Sequence, residues 1–71
     1  MPRKERLIGY LRGEYANGLS TVISVYKAGA GYRLGGPGRP HLCHPSVRSI
    51  EAVKREAFHV YDLRNAEFDE I

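Results

Sequence analysis

The sequence predicts a small α+β domain in which an antiparallel sheet of three or four strands packs on one C-terminal amphipathic helix. Three observations predict it: a β-branched and aromatic run at 21–26, glycine-bearing turns after that run, and apolar residues at helical spacing beyond Ser49. The 71 residues suit one domain with a thin core, because small chains bury a modest share of their surface. We therefore treat 1–71 as one compact domain and expect 1–4 and the acidic end 66–71 to fray.

The first element, residues 5–15, is interpreted as a strand, with a helix as the open alternative. Apolar residues in this segment fall at helical spacing, but Gly9 and Gly13 would each destabilise a helix by about 1 kcal/mol. Asn17-Gly18 suits a two-residue type I′ turn, which pairs positions whose numbers sum to 35. The predicted cross-strand neighbours are Tyr10 with Val25, Arg12 with Ile23, and Glu14 with Thr21.

The next elements complete the predicted sheet. Residues 19–26 form the clearest strand, 27–31 provide a glycine-bearing turn, and 32–34 return as a third strand. Residues 35–40 contain three glycines and two prolines, which predicts an exposed loop. Residues 41–43 are expected to form a short strand at the sheet edge.

The helix begins after Ser46 or Ser49, both of which are suitable N-cap residues, and Asn65 is a reasonable residue to follow its last turn. Residues 58–63 could alternatively form a final strand after a shorter helix. The apolar stripe of the predicted helix consists of Ile50, Val53, Ala57, Val60 and Tyr61.

Charge is distributed unevenly along the chain, although the formal net charge is only +3. Residues 1–48 contain eight Lys or Arg and two Glu, whereas 49–71 contain three Lys or Arg and six acidic residues. This polarity predicts a basic sheet end and an acidic helical end. Opposite charges on two ends, a thin core and an exposed sheet edge together favour a homodimer.

Cellular context is inferred from what the sequence lacks. No run approaches 18 apolar residues, so no membrane-spanning helix is expected, and no apolar signal-peptide core follows the basic start. The single cysteine, Cys43, excludes an internal disulfide and indicates a reducing compartment. We therefore expect a cytoplasmic protein.

The sequence contains only weak indications of a catalytic or cofactor-binding site. Three metal-capable residues, His41, Cys43 and His44, lie close together, with His59 as a fourth candidate, but their spacing is not that of a structural zinc site. Cys43 beside a histidine could be a nucleophile, but a small buried thiol is the simpler interpretation. The glycine-rich segment matches no phosphate-binding motif. We expect no enzyme and no cofactor.

Two macromolecular functions remain. The first is a small non-enzymatic protein-binding module, for example an anti-CRISPR-like phage or mobile-element inhibitor of a bacterial nucleic-acid-targeting defence complex, since carboxylates can occupy a site built for phosphates. The second is nucleic-acid binding through arginines and strand tyrosines, including Tyr10 and Tyr26. The acidic candidates are Glu51, Glu56, Asp62, Glu67, Asp69 and Glu70. The basic and aromatic candidates are Arg12, Lys27, Tyr32, Arg33, Arg39 and Arg48.

Overall fold

The computed structural model describes residues 5–36, 38 and 40–71 and contains one sheet and one helix over those residues. The α+β prediction is confirmed, but the sheet has five antiparallel strands instead of three or four, in the order β4-β3-β2-β1-β5. The elements are β1 (Glu5–Glu14), β2 (Ser20–Ala28), β3 (Gly31–Gly35), β4 (His41–Leu42), α1 (Ile50–Tyr61) and β5 (Arg64–Glu70).

The first hairpin forms as a strand pair, so the helical alternative for 5–15 is excluded, but the predicted register is wrong by one residue. Leu11 lies opposite Ile23, and the paired numbers sum to 34 up to a bulge near Ile8. The turn is longer than predicted, because Gly18 donates to Tyr15 O and adopts a φ of 90°. A slip of one residue would place Leu11 on the opposite face of the sheet, away from the core. The observed neighbours are Tyr10 with Ser24, Arg12 with Val22, and Glu14 with Ser20.

The fifth strand corrects the expectation that residues 66–71 fray. Residues 66–70 belong to β5, which pairs with β1 along the edge of the sheet, and Ile71 N donates to Ile8 O at 3.2 Å. Ala66 and Phe68 pack against the core, which gives the acidic segment an apolar face. The expectation that 1–4 fray lies outside the described residues, as do Pro37 and Arg39 of the predicted loop.

Helix α1 begins at the second of the two predicted caps. The Ser49 side chain accepts from Ala52 N at 3.2 Å, which satisfies one of the free amides of the first turn. The helix ends at Asp62, which adopts a left-handed conformation with φ 59° and donates its N–H to the carbonyls of Ala57 and Phe58. Asp62 therefore has the terminating role predicted for Asn65, which instead has φ 55° within β5. The alternative strand at 58–63 does not form.

One buried cluster joins α1 to a single face of the sheet. Leu11, Ile23 and Val25 lie in the sheet centre and are fully buried, as are Val53 and Ala57 on α1. Side chains alternate along each strand, so the residues between them point to the opposite side. We call the side packed on α1 the helix face and the other side the open face. The remaining buried apolar residues are Leu34, Cys43, Val47 and Leu63.

Candidate functional site

Five of the six carboxylates of the predicted acidic surface contact a basic residue of the chain. Glu67 and Asp69 are brought together on the open face, where both contact Arg12. The hydrogen bond and the charge of Asp69 raise the pKa of Arg12 above its ordinary value. Glu70 has no such partner among the described residues. The three other contacts are Glu51 with Lys54, Glu56 with His41, and Asp62 with Arg64. The six carboxylates therefore do not form one continuous acidic surface.

The predicted basic and aromatic set is divided between the two faces of the sheet. On the open face, Arg33 lies 4.4 Å from the Tyr26 ring centroid and 2.8 Å from a Glu5 oxygen. On the helix face, Lys27 lies 4.7 Å from the ring centroid of Tyr32. Arg12 is engaged by the carboxylates of β5, Arg48 is exposed, and Arg39 is outside the described residues. Tyr10 is also on the open face, beside Asp69.

The predicted metal candidates have protein partners. His41 Nε2 lies 2.8 Å from a Glu56 oxygen, and His44 Nδ1 contacts the side chain and amide of Ser46. No group of three metal-ligating side chains is found in the described part of the chain. Burial, aided by the charge of Glu56, raises the pKa of the Cys43 thiol to about 11. The thiol is therefore neutral near pH 7, which does not suit a nucleophile.

A groove of about 440 Å³ lies between α1 and the beginning of β5, and we call it the α1–β5 groove. Its apolar part is formed by Phe58, Leu63 and Ala66, and Phe58 is 45% exposed. Its polar rim consists of Glu51, Lys54, Arg55, His59, Arg64 and Asn65. The rim thus contains three permanently cationic side chains and one carboxylate, and Arg55 has no ion-pair partner among the described residues.

The outer edge of β5 continues beyond Ala66, the last residue of β5 that lines this groove. Within the described chain β5 pairs only with β1, so its other edge has no neighbouring strand. Ile71 N donates to Ile8 O, which makes 8 and 71 a directly hydrogen-bonded pair of the ladder. Along an antiparallel strand, the backbone N–H and C=O groups of successive residues point alternately toward the partner strand and away from it. Asp69 therefore points its backbone groups toward β1, while Phe68 and Glu70 point theirs toward the empty edge.

The groove was not predicted from the sequence, although one signal was present. Phe58 falls outside the apolar stripe of α1, which leaves a large aromatic residue on the polar side of an amphipathic helix. The proximity of Arg64 to that ring, 5.7 Å from guanidinium carbon to centroid, depends on the pairing of β5. That pairing could not be anticipated while 66–71 was expected to fray.

Within the described residues, α1 is the sole helix, and its 12 residues are neither long nor apolar enough to cross a membrane. Comparison of the chain with known proteins finds no matching family, no matching curated protein and no matching solved structure.

Proposed function

We propose that this protein is a binding module that recognises an extended, acidic segment of a partner protein, which pairs with the outer edge of β5 and projects side chains into the α1–β5 groove. One observation carries the proposal: β5 has an outer edge without a neighbouring strand in the described chain, and that edge follows directly on a groove with an apolar floor and cationic residues on its rim, which β5 lines as far as Ala66. Main-chain pairing supplies affinity in this binding mode, and pockets beside the strand supply specificity.

The backbone of β5 favours strand addition. The N–H and C=O groups of Phe68 and Glu70 point away from β1 and have no strand opposite them in the described chain. An incoming strand would satisfy these groups with regular hydrogen bonds. Asn65, with its positive φ, limits the regular part of the edge to the residues that follow it.

The side chains of the groove favour an acidic occupant. Lys54, Arg55 and Arg64 line it. Glu51 contacts Lys54 and Asp62 contacts Arg64, which leaves Arg55 as a cation with no ion pair among the described residues. Phe58 adds apolar surface that a β-branched or aliphatic side chain of the partner could cover. An extended segment with acidic and apolar residues on one side therefore complements both the charge and the apolar floor.

The inhibitor role predicted from the sequence remains a proposal. We now assign its binding surface to the α1–β5 groove instead of the acidic residues. An inhibitor that imitates phosphates needs accessible carboxylates, and here five of the six candidates contact a basic residue of the same chain. In the α1–β5 groove, Lys54 and Arg64 also have acidic partners, but Arg55 has no ion pair among the described residues, and the support for protein binding lies in that cation beside the exposed Phe58.

A test uses a fluorescein-labelled peptide of about ten residues in which Thr alternates with Glu or Val, so that Glu and Val share one side of the extended chain. Anisotropy titrations are expected to give saturable binding that weakens with added salt. Replacing each Glu of the peptide with Lys should weaken binding by about tenfold or more. Equal binding of the two peptides, or binding of neither, would overturn the proposal.

Two pairs of variants locate the site. Arg55→Glu should weaken binding of the acidic peptide, whereas Arg48→Glu makes the same charge change at an exposed residue outside the groove. Glu70→Pro removes an outward N–H that has no partner in the free chain, whereas Glu70→Ala retains it. The first member of each pair should lose binding and the second should keep it.

Sedimentation velocity separates a peptide partner from a second copy. The proposal predicts that the peptide binds whatever the oligomeric state of the protein. A dimer that Glu70→Pro dissociates, together with no binding of the acidic peptide to the Glu70→Ala protein, would assign the β5 edge to a second copy and overturn the proposal.

A further inference from the structure

A second groove lies at the other end of the helix face, beside the first residue of α1. Its volume is about 460 Å³, within the roughly 300–1,000 Å³ typical of small-ligand sites. Ile8, Ile50 and Phe68 form an apolar floor. The polar groups stand at separate places: Arg6, Lys27 and Tyr32 on one side, and Glu70 from β5.

The two cations of this groove repel each other. Arg6 and Lys27 are directly opposite in the β1–β2 ladder, and like charges in that position are destabilising. Neither has an ion pair with a carboxylate of the described chain, and the neighbouring Glu5 is engaged by Arg33 on the open face. The ammonium of Lys27 lies 4.7 Å from the ring centroid of Tyr32. An anion placed between Arg6 and Lys27 would convert this repulsion into attraction.

The arrangement selects a class of ligand. A phosphate placed between Arg6 and Lys27 would contact both cations, and a flat apolar group would cover the floor. The carboxylate of Glu70, which has no ion pair among the described residues, could accept hydrogen bonds from an amino group. The start of α1 contributes its positive end close to the same place. From these contacts we infer that the groove binds a nucleoside phosphate whose base carries an exocyclic amino group, such as adenine.

Free nucleotides and single-stranded nucleic acid share this chemistry, and titration separates them. The probes are adenosine monophosphate, adenosine, inorganic phosphate, uridine monophosphate and an oligoadenylate of about six nucleotides with a 5′-phosphate. Calorimetry should show that adenosine monophosphate binds more tightly than adenosine, phosphate or uridine monophosphate. Comparable binding of adenosine monophosphate and the oligonucleotide indicates a site for one nucleotide. Much tighter binding of the oligonucleotide indicates a strand end as the ligand, and both results support the inference.

Variants tie the binding to the groove. Arg6→Ala and Lys27→Ala should each weaken binding by about tenfold, since each removes a charged contact to the phosphate. Lys27→Arg should retain most of the affinity, and Arg55→Ala, in the α1–β5 groove, should have no effect. Chemical shifts of Ile8, Ile50 and Phe68 report the floor directly, and a thermal melt of each variant confirms folding.

The inference is overturned if adenosine monophosphate does not bind, if inorganic phosphate binds equally well, or if Arg6→Ala and Arg55→Ala have the same affinity. The two proposals share Phe68 and Glu70, but Arg6 and Lys27 line only the second groove and Arg55 only the α1–β5 groove, so variants of these three residues separate the failure of one from the failure of the other.

Discussion

The guanidinium of Arg64 lies over the ring of Phe58, with 5.7 Å between the guanidinium carbon and the ring centroid. The contact joins the first residue of β5 to the exposed side of α1, across the α1–β5 groove. Arg64 also contacts Asp62 at 3.3 Å, so its side chain is held from both sides. Arg64 and Phe58 thus contact each other on the surface, outside the buried cluster.

Replacing Phe58 with alanine should affect binding more than stability. The side chain is 45% exposed and belongs to no part of the buried cluster, so the free energy of unfolding should fall by less than about 1 kcal/mol. Affinity for the acidic test peptide should fall by about tenfold, because exposed aromatic residues in grooves often dominate binding. Leu19→Ala, at a residue 63% exposed in the first turn, is the control and should change neither quantity. Unchanged affinity in Phe58→Ala would remove this residue from the site.

Gly9 should not tolerate a methyl group. A Cβ at this position would meet the backbone oxygen of Asp69 and would lie 2.7 Å from the Phe68 ring. Gly9→Ala should therefore lower the free energy of unfolding by about 1–3 kcal/mol, as expected for overpacking. In Gly31→Ala the nearest atom is 3.8 Å away, so stability should be unchanged or rise by about 0.4–1 kcal/mol. Urea denaturation compares the two, and equal effects would contradict the close approach of β5 to β1.

Ser49 should contribute more to the free energy of unfolding than Ser46. Only Ser49 accepts a hydrogen bond from an amide of the first helical turn, so Ser49→Ala should cost about 0.5–2 kcal/mol. Ser46 contacts His44 at an exposed site, and Ser46→Ala should cost less than about 0.5 kcal/mol. The difference in urea midpoint between the two variants measures the cap. A larger loss in Ser46→Ala would place the start of the helix at the other serine.

The Cys43 thiol should make stability depend on pH in alkaline solution. Its pKa is raised from 9.0 to about 11, chiefly by burial and secondly by the charge of Glu56. Because the folded protein holds this proton more tightly than the unfolded chain, the contribution is fully present below pH 9 and is lost as the pH rises toward 11. Cys43→Ala removes the titrating group, so the stability difference between wild type and variant should shrink over that range. A constant difference would show that the thiol titrates alike in both states.

The sequence was sufficient to predict the elements that depend on residues close together in the chain. The β-branched run of β2, the apolar stripe of α1 and the two serines before it all depend on nearest neighbours in the chain. The register of the first hairpin was missed because Asn17-Gly18 also fits a longer turn in which Gly18 takes the left-handed position. Burial of Leu11 against Ile23 then decides between the two registers.

The candidate site was harder to predict, because it depends on contacts between distant parts of the chain. The acidic residues of β5 resembled a solvated tail, and their use by Arg12 requires β1 to lie beside them, 55 residues or more away in sequence. Sequence charge therefore indicated an acidic end, whereas pairing in the fold gives five of its six carboxylates a basic neighbour and leaves Arg55 of the α1–β5 groove with no ion pair among the described residues. Phe58 was the one local indication of that groove.

Amide hydrogen exchange of β5, measured by NMR, is the most direct test of strand addition at its edge. In the free protein the amides of Phe68 and Glu70 should exchange faster than the amides of Glu67 and Asp69, which point toward β1. Saturation with the acidic test peptide should slow exchange of the Phe68 and Glu70 amides by about tenfold or more. The peptide that carries Lys should not change their exchange rates. Phe68 and Glu70 amides that exchange at the same rate with and without the acidic peptide would contradict the proposed mode of binding.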